Sequence, residues 1–197
     1  KDGVAGTVPV SYVQGDHCTV SGPAAALPGL PVTVTLTPEE GYAVSAFTRN
    51  GNDYLKFLNY NEDGSATYTV TCEEGMSFSA TAEQVVSGNK TLTGKINLKK
   101  AGGDTLSGLS ATYADVDGEH TLPLSADGTF ELKDLPQAYY TITAEKSGYG
   151  RITRGIYLNR NIDTQIDLEY GTFDIVEGSC WDIENANEGY LIKKGGR

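Results

Sequence analysis

The sequence contains few residues that could carry out catalysis. It has two histidines, His17 and His120, which lie in different halves of the chain. No nucleophile elbow, HExxH zinc motif, phosphate-binding P-loop or dinucleotide fingerprint is present. The adjacent carboxylates at 39–40, 62–63 and 73–74 flank predicted turns, which is typical of solvated loop charges. We therefore expect a protein that is not an enzyme.

Aromatic residues are the main candidates for ligand contact. Tyr54, Phe57 and Tyr60 follow one another at a spacing of three residues, which would place their rings on one side of a helix. Trp181 and Tyr190 are further candidates near the C-terminus. A ring face can stack on the apolar face of a sugar while polar neighbours bind its hydroxyls. These five residues predict carbohydrate contact; the alternative is that they close a hydrophobic core.

A group of carboxylates around one turn could hold a cation. Asp115, Asp117 and Glu119 flank the Asp-Gly pair at 117–118. Calcium prefers oxygen ligands of this kind, although the EF-hand spacing is absent. The alternative, which the pattern favours, is a hairpin turn with exposed acids. No other cofactor is expected.

The three cysteines lack the CxxC spacing of zinc and redox sites. Cys18 and Cys72 both fall in strand-like stretches of the first half of the chain, so a disulfide between them is one prediction. Two buried free thiols are the alternative. Cys180 has no evident partner in either case.

The acidity of the chain excludes two classes of partner. In 197 residues, 26 acidic side chains outnumber 15 basic ones and give a net charge of −11. Nucleic acids and anionic membrane surfaces are both bound through basic patches. The sequence also has no apolar run near the ~18 residues of a membrane span. We expect neither nucleic-acid binding nor membrane insertion.

Strand patterns recur along the whole chain and predict an all-β fold. Residues 31–37 and 162–168 alternate between apolar and polar side chains, as half-buried antiparallel strands do. Asn-Gly and Asp-Gly pairs separate such stretches and are typical of tight turns. Only residues 53–60 are ambiguous, because they could form a strand or a short helix.

Polar, turn-prone residues near position 87 predict a boundary between two small antiparallel β domains in tandem. The first, residues 1–86, has a net charge of −7, and the second, residues 87–170, has a net charge of −2. Residues 171–197 would form a C-terminal extension, either a hairpin or the start of a further module. The start without Met and the end beside a strand-like run predict a piece of a longer protein.

The second domain resembles the carboxypeptidase regulatory-like family. The matching residues are Asp127-Gly128, Phe130, Leu135-Pro136, Tyr140 and Gly148-Tyr149. Ala138 departs from the family pattern, which usually has Gly there. The resemblance covers about residues 91–170 and implies a seven-stranded transthyretin-like or Ig-like sandwich that is not catalytic.

The collagen-adhesin B-type domain is a competing resemblance for the same residues. That family often carries an internal Lys-to-Asn isopeptide bond, and Lys100 lies on the face such chemistry would need. Its catalytic Glu, however, would fall at Ala144, whereas Glu145 points to the opposite face of the strand. We do not expect the isopeptide bond.

The first domain is similar to internalin-type B-repeats of bacterial surface proteins. The matching segments are 32–38, Gly41-Tyr42, Asn50-Gly51, 68–70 and 78–82, with Phe47 where a Trp is common. The tail from 171 to 183 resembles the opening of a concanavalin-like module, and a hairpin covering an edge of the second domain is the alternative. The resemblances of the two domains together imply a secreted or cell-wall-associated protein of a Gram-positive gut bacterium.

The leading functional hypothesis is a structural and adhesive module pair. It would act as a spacer or interaction unit for other modules of the same chain, and could bind a host or dietary polymer. The second hypothesis is a carbohydrate-binding accessory module that uses exposed aromatic side chains. The third is a fragment of a polysaccharide-degrading enzyme, since two catalytic carboxylates need only meet in space.

Overall fold

A computed structural model describes residues 6–171 and the backbone of 181–183 and 192–194. The described chain is built of β-strands with a single short 3-10 helix, Leu55–Phe57, which confirms the all-β prediction. The strands are β1 Val8–Pro9, β2 Ser11–Val13, β3 Cys18–Ser21, β4 Ala25–Ala26, β5 Pro31–Pro38, β6 Tyr42–Arg49, β7 Asn52–Asp53, β8 Asn59–Tyr60, β9 Ala66–Thr71 and β10 Ser77–Gln84. There follow β11 Lys90–Lys99, β12 Ser110–Asp115, β13 Gly118–Thr121, β14 Thr129–Leu135, β15 Tyr139–Lys146, β16 Gly150–Tyr157, β17 Ile162–Glu169, β18 Trp181–Ile183 and β19 Ile192–Lys194.

Strands β1–β10 form the N-terminal part, in which two four-stranded sheets pack together. One sheet has the order β2-β10-β6-β7 and the other β3-β5-β9-β8, while β1 pairs with β4. Phe47 and Phe78 of the first sheet stack with ring centroids 6.1 Å apart, and Tyr68 of the second meets Phe47 edge-on at 5.2 Å. These rings join the two sheets into one core.

Strands β11–β17 form the C-terminal part, with a three-stranded sheet, β14-β11-β17, and a four-stranded sheet, β13-β12-β15-β16. Strand β17 runs parallel to β11, and the remaining pairs in these sheets are antiparallel. The alternation read from residues 162–168 is present, since Ile162, Ile166 and Leu168 are buried. The same face also buries a polar residue, Thr164.

No sheet in the described residues combines strands from both parts. Residues 85–89 connect β10 to β11, and hydrogen bonds tie this segment to both parts. Val85 N–H donates to the Gly41 carbonyl at 2.8 Å, while Gln137 Nε2 donates to the Val86 carbonyl at 2.7 Å. Lys90 Nζ adds a second donor to that carbonyl at 2.8 Å. The exact domain boundary near residue 87 stays a prediction.

The predicted disulfide between Cys18 and Cys72 is not formed, and this prediction was wrong. Both thiols are free and buried. Cys18 pairs in register with Pro38 at one end of β5, whereas Cys72 follows Thr71, which pairs with Pro31 at the other end. At about 3.3 Å per residue a strand of this length separates its ends by roughly 23 Å, beyond the ~7 Å limit between bridged Cα atoms.

The buried side chain of Tyr149 anchors the loop between β11 and β12. Its hydroxyl donates to Asp104 Oδ2 at 2.8 Å, and Tyr170 meets its ring edge-on at 5.3 Å. Burial, together with the Asp104 carboxylate, raises the pKa of Tyr149 to about 12. The same hydrogen bond is the main reason that the pKa of Asp104 lies below its usual range.

Among the described residues, no helix is both long enough and apolar enough to cross a membrane.

We predict that Cys18 and Cys72 each carry an unmodified thiol in the native protein. Burial raises the pKa of the Cys18 thiol, which disfavours the reactive thiolate. Alkylation after unfolding without reductant, followed by peptide mapping, should find the two peptides separately labelled. A peptide pair joined through Cys18 and Cys72 would contradict the structure.

We also predict that the Tyr149 phenol titrates late. Because its pKa is raised in the folded state, the stability it contributes is complete below the ordinary tyrosine pKa near 10 and is lost as the pH rises towards about 12. The rise in phenolate absorbance that the wild type shows and Tyr149→Phe lacks should therefore occur above pH 10. Asp104→Asn should move that step to lower pH. If the titration step that Tyr149→Phe loses lies near pH 10, the ordinary tyrosine pKa, the assignment is wrong.

Candidate functional site

The ambiguous stretch 53–60 forms a 3-10 helix with short extended segments on either side. Asp53 Oδ1 accepts the Leu55 N–H at 2.9 Å and so starts the turn. A 3-10 helix has about three residues per turn, which brings residues i and i+3 into line. Tyr54 and Phe57 are therefore neighbours, with ring centroids 5.7 Å apart, and both are half-buried.

Tyr60, the third aromatic of that series, is placed differently. It lies in β8, beyond the helix, and is only 4% exposed. Burial raises the pKa of its phenol. The extended backbone from Leu58 onward breaks the three-residue spacing, so the Tyr60 ring belongs to the core and presents no face to solvent.

The 3-10 helix and β8 dock against the C-terminal part through polar contacts. Arg154 donates from a guanidinium nitrogen to the Phe57 carbonyl. Gly155 N–H donates to Asn59 Oδ1 at 2.8 Å, and Thr164 Oγ1 donates to the Lys56 carbonyl at 3.2 Å. Two backbone carbonyls of the helix, and the side chain of Asn59, thus find their partners on β16 and β17.

The docking is close because Gly155 has no side chain. A Cβ at this position would lie 2.2 Å from the Tyr60 carbonyl oxygen and 2.5 Å from Tyr139 Oη. Contacts this short do not occur for real Cβ atoms, so β8 could not approach β16 as it does if any other residue stood there. A glycine inside a strand is a recognised sign of such a close approach.

A cleft of about 550 Å³ opens beside this contact, with walls from both parts of the chain. Tyr54 and Phe57 contribute aromatic surface, and Arg154 and Asp167 contribute opposite charges. Asn59, Thr67 and Thr69 also line it. Its volume lies within the ~300–1,000 Å³ of small-molecule sites.

The charged side chains of this cleft are held in place by neighbours. Asp167 Oδ1 accepts from Asn97 Nδ2 at 2.8 Å and from Gln165 Nε2 at 2.9 Å. Burial lowers the pKa of Arg154, and the nearby Asp167 carboxylate opposes this shift. The Arg154 guanidinium thus combines partial desolvation with a hydrogen bond to the Phe57 carbonyl.

Tyr54 is similarly fixed, by Arg49. The Arg49 guanidinium carbon lies 5.7 Å from the centroid of the Tyr54 ring, within cation–π distance. Arg49 also forms an ion pair with Glu73. The orientation of the ring is therefore set before any ligand arrives.

A second cleft, of about 560 Å³, lies over the sheet that contains β11, β14 and β17. Its aromatic residue, Phe130, is only 5% exposed. Thr93, Glu131 and Asp163 supply polar groups there. Both charged residues of this lining are acidic, so it lacks the pair of opposite charges found in the first cleft.

The carboxylates proposed for calcium serve the hairpin between β12 and β13 instead. Asp115 Oδ1 accepts the Asp117 N–H at 2.8 Å and lies 3.2 Å from His120 Nε2. Glu119 accepts from Thr112 Oγ1 at 3.2 Å. Across the described residues, no group of three or more His, Cys, Asp or Glu side chains is arranged to hold a metal ion. The turn alternative accounts for this geometry.

Two of the predicted contact residues, Trp181 and Tyr190, have no described side chain. Tyr190 and Cys180 lie outside the described residues, and only the backbone of Trp181 is described, in β18. Carbohydrate contact by Tyr54 and Phe57 stays a prediction. Sequence patterns did not identify Arg154, Asp167 and Asn59 as cleft residues. The available signal was Gly155, since a glycine within a strand indicates that another backbone approaches closely.

Comparisons with known proteins place the chain in no family. No protein-family model matches the chain, and no curated protein matches it significantly. One similar solved structure is the TIE protein of Bacillus anthracis, at 11% identity over 86% of this chain with a TM-score of 0.32. A second is the group B streptococcus pilus 2b backbone protein, at 13% identity over 79% of this chain with a TM-score of 0.32. A third is the minor pilin GBS52 of Streptococcus agalactiae, at 11% identity over 79% of this chain with a TM-score of 0.31.

These matches cover different shares of the known proteins. The chain spans 42% of the TIE protein chain, 98% of the pilus 2b backbone protein and 67% of GBS52. Superposition at such low TM-scores does not establish a common fold, and it assigns no function to this chain.

We predict that Gly155→Ala disrupts the contact between the two parts. The added methyl group would meet the Tyr60 carbonyl and should lower the free energy of unfolding by about 1–3 kcal/mol, the usual cost of overpacking. Urea unfolding followed by fluorescence would measure the change. Ser110→Thr, which adds one methyl group at an exposed position of β12, is the control and should be nearly neutral. Equal stability of the two variants would refute the close approach.

Proposed function

We propose that the chain is a non-catalytic structural pair of β modules, which acts as a rigid spacer and interaction unit within a secreted or cell-surface bacterial protein. The observation that carries the proposal is the docking of residues 56–60 onto β16 and β17, through Arg154, Gly155 and Thr164. A spacer transmits orientation only if its parts cannot turn freely about the segment that connects them.

Three features support rigid coupling. Buried residues of both parts, such as Tyr60 and Ile156, belong to one continuous hydrophobic cluster. The connecting segment is hydrogen-bonded to Gly41 on one side and to Gln137 on the other. The docking contact then adds polar links between side chains and backbone groups that are far apart in sequence. Flexible connections between domains lack such ties.

The placement of titratable residues favours a non-catalytic role. His17 Nδ1 lies 2.8 Å from Glu39 Oε2, and His120 Nε2 lies 3.2 Å from Asp115 Oδ1. The two pairs lie in different parts of the chain. Neither histidine lines the cleft beside the docking contact. Arg154 and Asp167, the charged groups that do line it, are engaged in packing and hydrogen bonds that support the fold.

The strand content of each part supports the family resemblance proposed for it. Residues 90–169 form a three-stranded and a four-stranded sheet, which supports a carboxypeptidase regulatory-like sandwich in the C-terminal part. The strands at 31–38, 42–49, 66–71 and 77–84 support a B-repeat-like N-terminal part. Ala144 is buried and Glu145 is exposed, as the argument against an isopeptide bond requires.

The net charge suits a location outside the cell. At −11 the chain repels anionic surfaces and nucleic acids, while its charge favours solubility. Its partners would then be the neighbouring modules of the same protein, and a host or dietary polymer bound by the assembly.

Rigidity can be tested by residual dipolar couplings measured on the amides of both parts. In the wild type, one alignment tensor should fit the couplings from residues 8–84 and from residues 90–169. The double variant Asn59→Ala, Arg154→Ala removes two docking contacts and should require two different tensors. Arg151→Ala, at an exposed position of the same strand, is the control and should keep one tensor. Two independent tensors in the wild type would rule out a rigid spacer.

A further inference from the structure

We propose that the cleft between the 3-10 helix and strands β9, β16 and β17 binds a short stretch of a neutral polysaccharide. Both parts of the chain would contribute groups to this one site. The proposal goes beyond the spacer role and does not depend on it, because a cleft can bind a ligand whether or not the chain orients other modules.

The aromatic surface of the cleft suits a sugar ring. Tyr54 and Phe57 stand side by side on the rim, half-buried, so that each ring is anchored on one side and accessible on another. Tyr68 packs edge-on against Tyr54, with centroids 5.6 Å apart, and braces it from the core. The two adjacent rings are tilted by 44° to one another, and each offers an apolar face of the kind on which the CH groups of a pyranose stack.

The polar groups of the cleft suit the hydroxyls of a sugar. Sugar hydroxyls need both donors and acceptors, and the opposite wall supplies them as Arg154 and Asp167. Asp167 Oδ1 already has two donors, whereas Oδ2 forms an ion pair with Lys99 Nζ at 3.7 Å, longer than a hydrogen bond, and keeps lone pairs that can accept a hydroxyl. Thr67 and Thr69 add hydroxyls on the β9 side.

The charge balance indicates a neutral ligand. The charged residues that line the cleft are one guanidinium, Arg154, and one carboxylate, Asp167, so the lining carries no net charge, and Asp167 also forms an ion pair with the neighbouring Lys99 at 3.7 Å. Arg49, which lies behind Tyr54, is paired with Glu73. The N-terminal part, which supplies the aromatic wall, carries most of the acidic excess of the chain. A polymer of uronic acids or sulfated sugars would be repelled by that surface.

The site is composite, which gives binding a measurable consequence. A ligand in contact with Phe57 on one side and Asp167 on the other would link the two parts. Because such a ligand binds the docked state and not the unfolded chain, saturating saccharide should raise the melting temperature.

The test is a titration of the whole 197-residue chain, labelled with ¹⁵N, by neutral oligosaccharides of glucose, xylose, mannose, galactose and N-acetylglucosamine. Concentrations up to about 10 mM would detect a Kd near 1 mM, typical of weak sites. We expect at least one of these saccharides to shift the amide resonances of residues 54–59, 67–69 and 152–154 together. Tri-galacturonate and a proline-rich peptide are the comparison ligands.

Two variants identify the groups responsible. Phe57→Leu keeps an apolar side chain but removes the ring face, and Asp167→Asn keeps the shape but changes the acceptor. Each should weaken binding about tenfold, as expected for loss of one good contact of ~1.4 kcal/mol. Tyr170→Leu, which removes an exposed ring outside the cleft, is the matched control and should bind like the wild type. Unchanged melting temperatures without ligand would show that the variants remain folded.

If either cleft variant fails to fold, the amide map of the wild type still decides the question. Shifts confined to other surfaces, no shift with any neutral saccharide, or cleft binding of only the uronate or the peptide would each overturn the proposal.

Discussion

The structure depends on one contact, in which strands β16 and β17 pack against residues 56–60 and donate hydrogen bonds to them. The carbonyls of Lys56 and Phe57 have side-chain donors from Thr164 and Arg154, while the missing side chain of Gly155 lets β8 approach. Polar backbone groups that leave water need partners of this kind, since an unsatisfied buried carbonyl costs about 1–3 kcal/mol. The contact therefore provides side-chain donors for two carbonyls of the helix.

The size of each part explains why such a contact matters. A unit of about 80 residues buries only roughly 60–65% of the surface that its unfolded chain exposes, so its stability is small. Joining two units through one hydrophobic cluster extends the core of both. The same joint closes the wall of the cleft, because Asn59 and Phe57 come from one part and Arg154 and Asp167 from the other.

Local patterns in the sequence predicted the local structure well and the long-range structure poorly. The alternation in 31–37 and 162–168 identified β5 and β17, because the period of two depends only on near neighbours. The pairing of Cys18 with Cys72 failed because strand register places them at opposite ends of β5. The i, i+3, i+6 series held for Tyr54 and Phe57 but not for Tyr60, where the helix gives way to extended chain. Arg154 meets Phe57 across 97 residues, and no local pattern reports a contact at that separation.

Rigidity and binding would draw on the same interaction in this molecule. A site divided between two freely moving parts would lose affinity, since each binding event would first have to order them. Here the Tyr54 ring is held by Arg49 and Tyr68, the Asp167 carboxylate by Asn97 and Gln165, and the two walls by the docking contact. The ordering is thus completed on folding, before any ligand is present. A rigid joint with an aromatic, polar cleft at its seam can therefore serve a structural role and a binding role without conflict between them.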